Sequence, residues 1–101
     1  AEWLSISYHD KGIRVSLLAP LGVRTPMLGD ISSPFAVSAA GPIKEPEDVA
    51  DMVVLGVQSE SFLILTDPIA QTWMERKTND PERWLTGMRR LQAKMNKAPN
   101  T

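Results

Sequence analysis

The side chains that could move a proton, hold a metal or grip a phosphate are few in this chain of 101 residues. His9 is the only histidine, placed between Tyr8 and Asp10. A general base needs a nucleophile or acid within reach. The spacing offers none, so a solvated residue at a helix end is the expected reading. Glu47, Asp48 and Asp51 could pass for a metal cluster, but acids gather at helix N-termini for electrostatic reasons alone. No metal ligands and no catalytic residues are therefore assigned. The absence of cysteine removes disulfides, thiolate chemistry and Cys-based metal sites. None of Gly12, Gly22, Gly29, Gly41, Gly56 and Gly87 falls into a G-x-G-x-x-G or P-loop pattern, so a pyrophosphate cradle of the usual Rossmann kind is not encoded. Trp3, Trp73 and Trp84 each sit in an amphipathic helical pattern, where packing or subunit contact is expected before a ligand box.

What remains is the stretch APLGVRTPM, residues 19–27. In open parallel sheets, ligands bind beyond the carboxyl ends of strands, where backbone amides and short polar side chains face the crevice. Gly22 would let a ligand approach the backbone, and the Thr25 hydroxyl can both donate and accept. An ordinary strand-to-helix turn capped by Thr25 fits the same residue types. Both readings stand at this level.

The elements around this stretch alternate. Ala1, Leu4 and Tyr8 share a helical face, and Lys11-Gly12 reads as its stop. No capping residue precedes this helix, so the pattern predicts a piece cut from a longer chain. Residues 13–19 predict a strand apolar enough to be buried on both faces, ended by Pro20, which cannot donate to a ladder. Residues 27–44, rich in Gly, Ser and Pro, predict an irregular excursion with one or two helical turns. Pro46, with Glu47 and Asp48 behind it, opens a helix whose Val49, Met52, Val53 and Val57 recur at helical spacing. A second buried strand is predicted over 62–66, closed by Asp67-Pro68. Two helices follow, over 69–77 and from Pro81, the latter capped by Asp80 and striped by Trp84, Met88, Leu91 and Met95. The fold class is α/β, with two parallel strands joined by a right-handed crossover. Two strands do not make a stable open sheet, so one edge should lie exposed for another piece of chain.

Composition narrows the partners. Eleven Lys and Arg against twelve Asp and Glu leave a net charge of −1, which supplies no electrostatic footprint for nucleic acid or an anionic membrane. With 43% hydrophobic residues the chain fits one soluble globular unit. No apolar run approaches a membrane span, and no basic region precedes an apolar one as in a signal peptide. A small solute or another protein is the expected partner, in a cytoplasmic setting.

The segment GIRVSLLAPLGVRTPML resembles a part of the short-chain dehydrogenase/reductases, in which a helix ends at the start of the sixth strand and the strand runs into Pro-Gly-x-Val-x-Thr. EPEDVADMVVLGVQSESFLILTDP is similar to that family's next helix and seventh strand, and DPERWLTGMRRLQ to a C-terminal helix of some bacterial members. The resemblance spans nearly the whole chain. It implies the C-terminal portion of a Rossmann-like, doubly wound parallel sheet over 1–101. Pro20, Leu21, Gly22, Val23 and Thr25 would contact the cofactor, NAD or NADP, with the Val23 backbone at the nicotinamide carboxamide. Residues 27–44 would be a mobile lid, with Met27, Leu28, Phe35 and Val37 touching a carbonyl or alcohol substrate. A homo-oligomer is implied as well.

The chain departs from the family in two ways. Leu21 stands where a glycine usually follows proline, and Gly22 comes one place later. The family's proton-transfer Ser and Tyr-x-x-x-Lys are missing: Tyr8 is the only tyrosine, the residue four places on is Gly12, and Lys11 falls one short. The chain is thus expected to be a fragment of a hydride-transferring enzyme, inactive alone. The other expectation is a non-catalytic interaction or oligomerisation module that uses an exposed strand edge and Trp-bearing helices.

Overall fold

A computed structural model describes residues 1–28 and 41–97. The chain divides into two compact units, Ala1–Pro68 and Ile69–Thr101. Phe35, Val37 and most of the expected lid lie outside the described residues.

The first unit begins with helix α1 (Glu2–Tyr8), which tightens into a 3-10 turn over His9–Lys11. Gly12 ends it at φ +83°, donating its N–H to the His9 carbonyl at 3.0 Å. A left-handed residue at this place is most cheaply a glycine. Strand β1 (Leu17–Ala19) then pairs in parallel with β2 (Leu63–Leu65), with Leu17 opposite Leu63 and Ala19 opposite Leu65. The described residues are thus α/β, with a two-stranded parallel sheet and four α-helices.

Both strands are shorter than the 13–19 and 62–66 expected. β2 is entered from a tight turn at Ser59–Ser61, where Glu60 takes φ +57°. Residues 13–16 therefore have no strand opposite them. Their polar groups find other partners: Arg14 donates to the His9 carbonyl at 2.9 Å, and the Ser16 hydroxyl to the Ser61 carbonyl at 2.7 Å. The expected burial of β1 on both faces is also not observed. Leu17 and Leu18 are 40% and 38% exposed, because β1 has one partner strand and its packing stops there.

Between the strands runs α2 (Pro46–Gln58), with proline in its first turn and Glu47 and Asp48 close behind. The proline lacks only an N–H that would have no intrahelical acceptor there, and the acids face the positive end of the helix dipole. Val49, Met52, Val53 and Gly56 form the inner face, and Val49 is buried along with Ile64 of β2. Val57, expected on this stripe, points outward, 57% exposed. Gly56 takes the place facing the strand, and the Ile64 side chain occupies the space a Cβ there would need.

The second unit holds α3 (Pro68–Asn79) and α4 (Pro81–Lys97), α3 starting at the boundary proline. The expected cap is formed: the Arg83 N–H donates to Asp80 Oδ1 at 3.1 Å. Lys77 places its ammonium 4.9 Å from the centre of the Trp84 ring. Trp84 and Leu91 are half-buried, whereas Met88 and Met95 are exposed. Among the described residues no helix is long and apolar enough to cross a membrane.

The Gly56–Ile64 contact makes a prediction with opposing terms. Alanine is favoured over glycine inside a helix by about 1 kcal/mol, but overpacking typically costs about 1–3 kcal/mol. Gly56→Ala is expected to lower stability in urea unfolding by about 1 kcal/mol. In a double-mutant cycle Ile64→Val should recover part of that loss, and simple additivity would refute the contact.

Candidate functional site

Because β1 and β2 run the same way, their carboxyl ends lie side by side, and Pro20–Thr25 leaves one where Thr66-Asp67 leaves the other. Pro20 cannot continue the ladder. The Leu21 N–H donates instead to the Thr66 hydroxyl at 3.2 Å. Thr66 is 2% exposed, a buried polar side chain whose oxygen is satisfied by the turn. Leu21 does not need a glycine's freedom, since Glu60 is the only non-glycine residue with positive φ among those described. The departure from Pro-Gly is therefore met without backbone strain.

Beyond Leu21 the turn is held by Lys44. The Lys44 N–H donates to the Gly22 carbonyl and the Arg24 N–H donates to the Lys44 carbonyl, both at 2.9 Å, forming an isolated parallel bridge between Val23 and Lys44. The Lys44 ammonium reaches Asp67 Oδ2 at 3.2 Å, both side chains being mostly buried. Arg24 pairs with Glu45 at 2.7 Å in a more exposed position. One residue thus ties the turn to the end of β2 through both its backbone and its side chain.

In such a bridge the hydrogen bonds come from the residues flanking Val23, so its own N–H and C=O face away from Lys44. The Val23 carbonyl accepts a long bond, 3.4 Å, from the Thr25 hydroxyl. Its N–H has no acceptor among the described residues. The Thr25 carbonyl takes the Leu28 N–H at 3.1 Å, which starts a 3-10 turn over Pro26–Leu28. The result is an amide donor without an acceptor among the described residues and a hydroxyl two residues on, beyond the carboxyl end of a parallel strand. This pair suits the carbonyl and amino groups of a carboxamide.

Pro20, Leu21, Gly22, Val23 and Thr25 are brought together on this turn; Gly22 is buried and Thr25 exposed. Met27 points fully outward and Leu28 is half-buried. His9 is exposed at the end of α1 and makes none of the contacts given above for this turn. Trp3 stacks edge-on with Tyr8, their ring centres 5.9 Å apart. No group of three His, Asp or Glu among the described residues is placed to hold a metal. The residues that sequence reasoning passed over are Lys44, Thr66 and Asp67. Thr66-Asp67 carries a usable signal, a hydroxyl and a carboxylate at the end of a buried strand, but the sequence reading takes Thr66 as the last strand residue and Asp67 only as part of the Asp67-Pro68 stop. Lys44 carried none, because its role depends on a pairing with a residue twenty-one places earlier.

No protein-family model matches the chain, no curated protein matches it, and no solved structure matches it.

Removing the Thr66 hydroxyl while keeping its shape leaves the part-buried Leu21 N–H without its acceptor, a loss of about 1–3 kcal/mol. Thr66→Val is therefore expected to speed Leu21 amide exchange by at least about tenfold, whereas Thr66→Ser keeps the protection. Equal exchange in both variants would show that the hydroxyl does not hold the turn.

Proposed function

We propose that residues 1–101 are the C-terminal part of a short-chain dehydrogenase/reductase, with Pro20–Thr25 forming the nicotinamide wall of its cofactor crevice. The observation that carries this reading is the Val23 N–H, turned away from Lys44 and without an acceptor among the described residues, beside the Thr25 hydroxyl, beyond the carboxyl end of β1. That is where open parallel sheets bind ligands. The incompletely covered Leu17 and Leu18 also support a strand that belongs in a larger sheet.

In the complete protein, NAD or NADP would supply the hydride exchanged with a carbonyl or alcohol carbon. This chain's share is orientation. Val23 N–H donates to the carboxamide oxygen, and the Thr25 hydroxyl accepts from its amino group. Lys44 and Thr66 fix the backbone that carries both. Proton transfer to or from the substrate oxygen falls outside this chain, since the sequence contains no Tyr-x-x-x-Lys.

The exposed apolar residues Trp3 and Ile6, with the open sheet edges, favour a second reading as an interaction module without catalysis. Titration of the ¹⁵N-labelled chain with millimolar NADH separates the two. The first reading expects amide shifts centred on Leu21, Gly22, Val23 and Thr25, with affinity falling about three- to tenfold in Thr25→Val. It also expects no ketone reduction by the chain alone with NADH or NADPH. Shifts absent from this turn would sink the cofactor assignment, and turnover would sink the assignment as a fragment.

A further inference from the structure

The turn that carries Val23 and Thr25 also carries charges, and those charges cancel. Arg24 stands between the two hydrogen-bonding groups in the chain, and Lys44 lies opposite Val23 in the bridge. Each cation is paired. Arg24 Nε meets Glu45 Oε1 at 2.7 Å, and Lys44 Nζ meets Asp67 Oδ2 at 3.2 Å. The acids come from different places, Glu45 from the residue before α2 and Asp67 from just beyond β2. Two cations and two anions thus border a turn that offers hydrogen bonds without a net charge among these four side chains.

The hydrogen-bonding groups differ in kind. The Val23 N–H can only donate. The Thr25 hydroxyl points its proton at the Val23 carbonyl, at 3.4 Å, and so offers a ligand its oxygen lone pairs. A carboxamide has one acceptor group and one donor group and satisfies both. A carboxylate has acceptors only, so its second oxygen would face the hydroxyl oxygen unless that proton left Val23. It would also bring a charge to be desolvated, which is costly unless a counter-charge meets it. Arg24 and Lys44 could supply that counter-charge, but Glu45 and Asp67 already hold them.

We propose that Glu45 and Asp67 are specificity residues of this turn: by neutralising Arg24 and Lys44 they make it select a neutral carboxamide over the corresponding carboxylate. The two pairs differ in strength. The Lys44–Asp67 pair is mostly buried and little screened, whereas both side chains of Arg24–Glu45 are about half exposed. Asp67 is therefore the stronger determinant. The inference rests on the nicotinamide reading and adds to it the group that the turn refuses and the residues that refuse it.

The test compares NADH with its acid analogue, in which a carboxylate replaces the nicotinamide carboxamide, each titrated into the ¹⁵N-labelled chain. The ligands differ in that one group, so the ratio of their affinities isolates it. The wild type is expected to bind NADH about three- to tenfold more tightly. Asp67→Asn leaves the Lys44 ammonium uncompensated and should move the ratio about three- to tenfold toward the acid. Glu45→Gln should move it less, and that smaller change should fade at high salt. In Lys44→Met/Asp67→Asn both charges are gone, and the wild-type ratio should return. A merely structural role of Asp67 would weaken both ligands alike and leave the ratio unmoved. Should Asp67→Asn loosen the turn, seen as lost exchange protection of the Arg24 amide, Glu45→Gln and the double variant carry the test. Equal affinities in the wild type, or a ratio that no variant moves, would overturn the selectivity and leave the nicotinamide site standing. If neither ligand shifts the amides of residues 21–25, the nicotinamide reading falls and the selectivity falls with it.

Discussion

Three rungs of parallel ladder, from Leu17 opposite Leu63 to Ala19 opposite Leu65, bring two strand ends side by side, and the contacts of the candidate turn follow from that register. A slip of one residue would turn every side chain on β2 to the other face. Ile64 would then leave Gly56, and Thr66 would leave the Leu21 amide. A ladder this short does not specify its register by backbone bonds alone. Side-chain bonds at both ends help to pin it: the Ser16 hydroxyl on the Ser61 carbonyl at one end, and the Thr66 hydroxyl under Leu21 at the other.

Packing supplies the rest of the constraint. Val49 and Ile64 are buried where α2 lies on β2, and the missing Cβ of Gly56 lets the isoleucine sit against the helix backbone. This is a small core for the first unit, and it leaves Leu17 and Leu18 partly in water. The turn beyond the ladder is held by polar contacts instead. Lys44 contributes two backbone bonds and a mostly buried ion pair to Asp67, which is screened less by salt than the exposed Arg24–Glu45 pair. The same Lys44 bridge turns the Val23 amide away from Lys44, so the support of the turn and the orientation of that amide come from one pairing.

Local chemistry made several elements legible in the amino-acid order. Gly12 marks the end of α1, Pro46 the start of α2, and Asp80-Pro81 the start of α4, because caps and prolines act on their immediate neighbours. The parallel relation of the strands followed from the helix between them. Strand length was not legible, since Ile13 and Val15 continue the branched apolar pattern into residues 13–16, which do not pair because β2 begins after the Glu60 turn. Val57 misled for a similar reason: its spacing fits the inner stripe, but Gly56 is what the Ile64 side chain admits.

The sequence by itself determined the alternation of elements, the stop at Pro20 and the presence of an amide-and-hydroxyl turn after β1, since propensity, capping and periodicity are read over a few residues. Only the tertiary structure decided that Thr66 would hold Leu21, that Lys44 would bridge Val23, and that the Val23 N–H would find no acceptor among the described residues. Those outcomes join residues twenty or more places apart. No local rule reaches across that distance; the parallel register and the packing of α2 on β2 do.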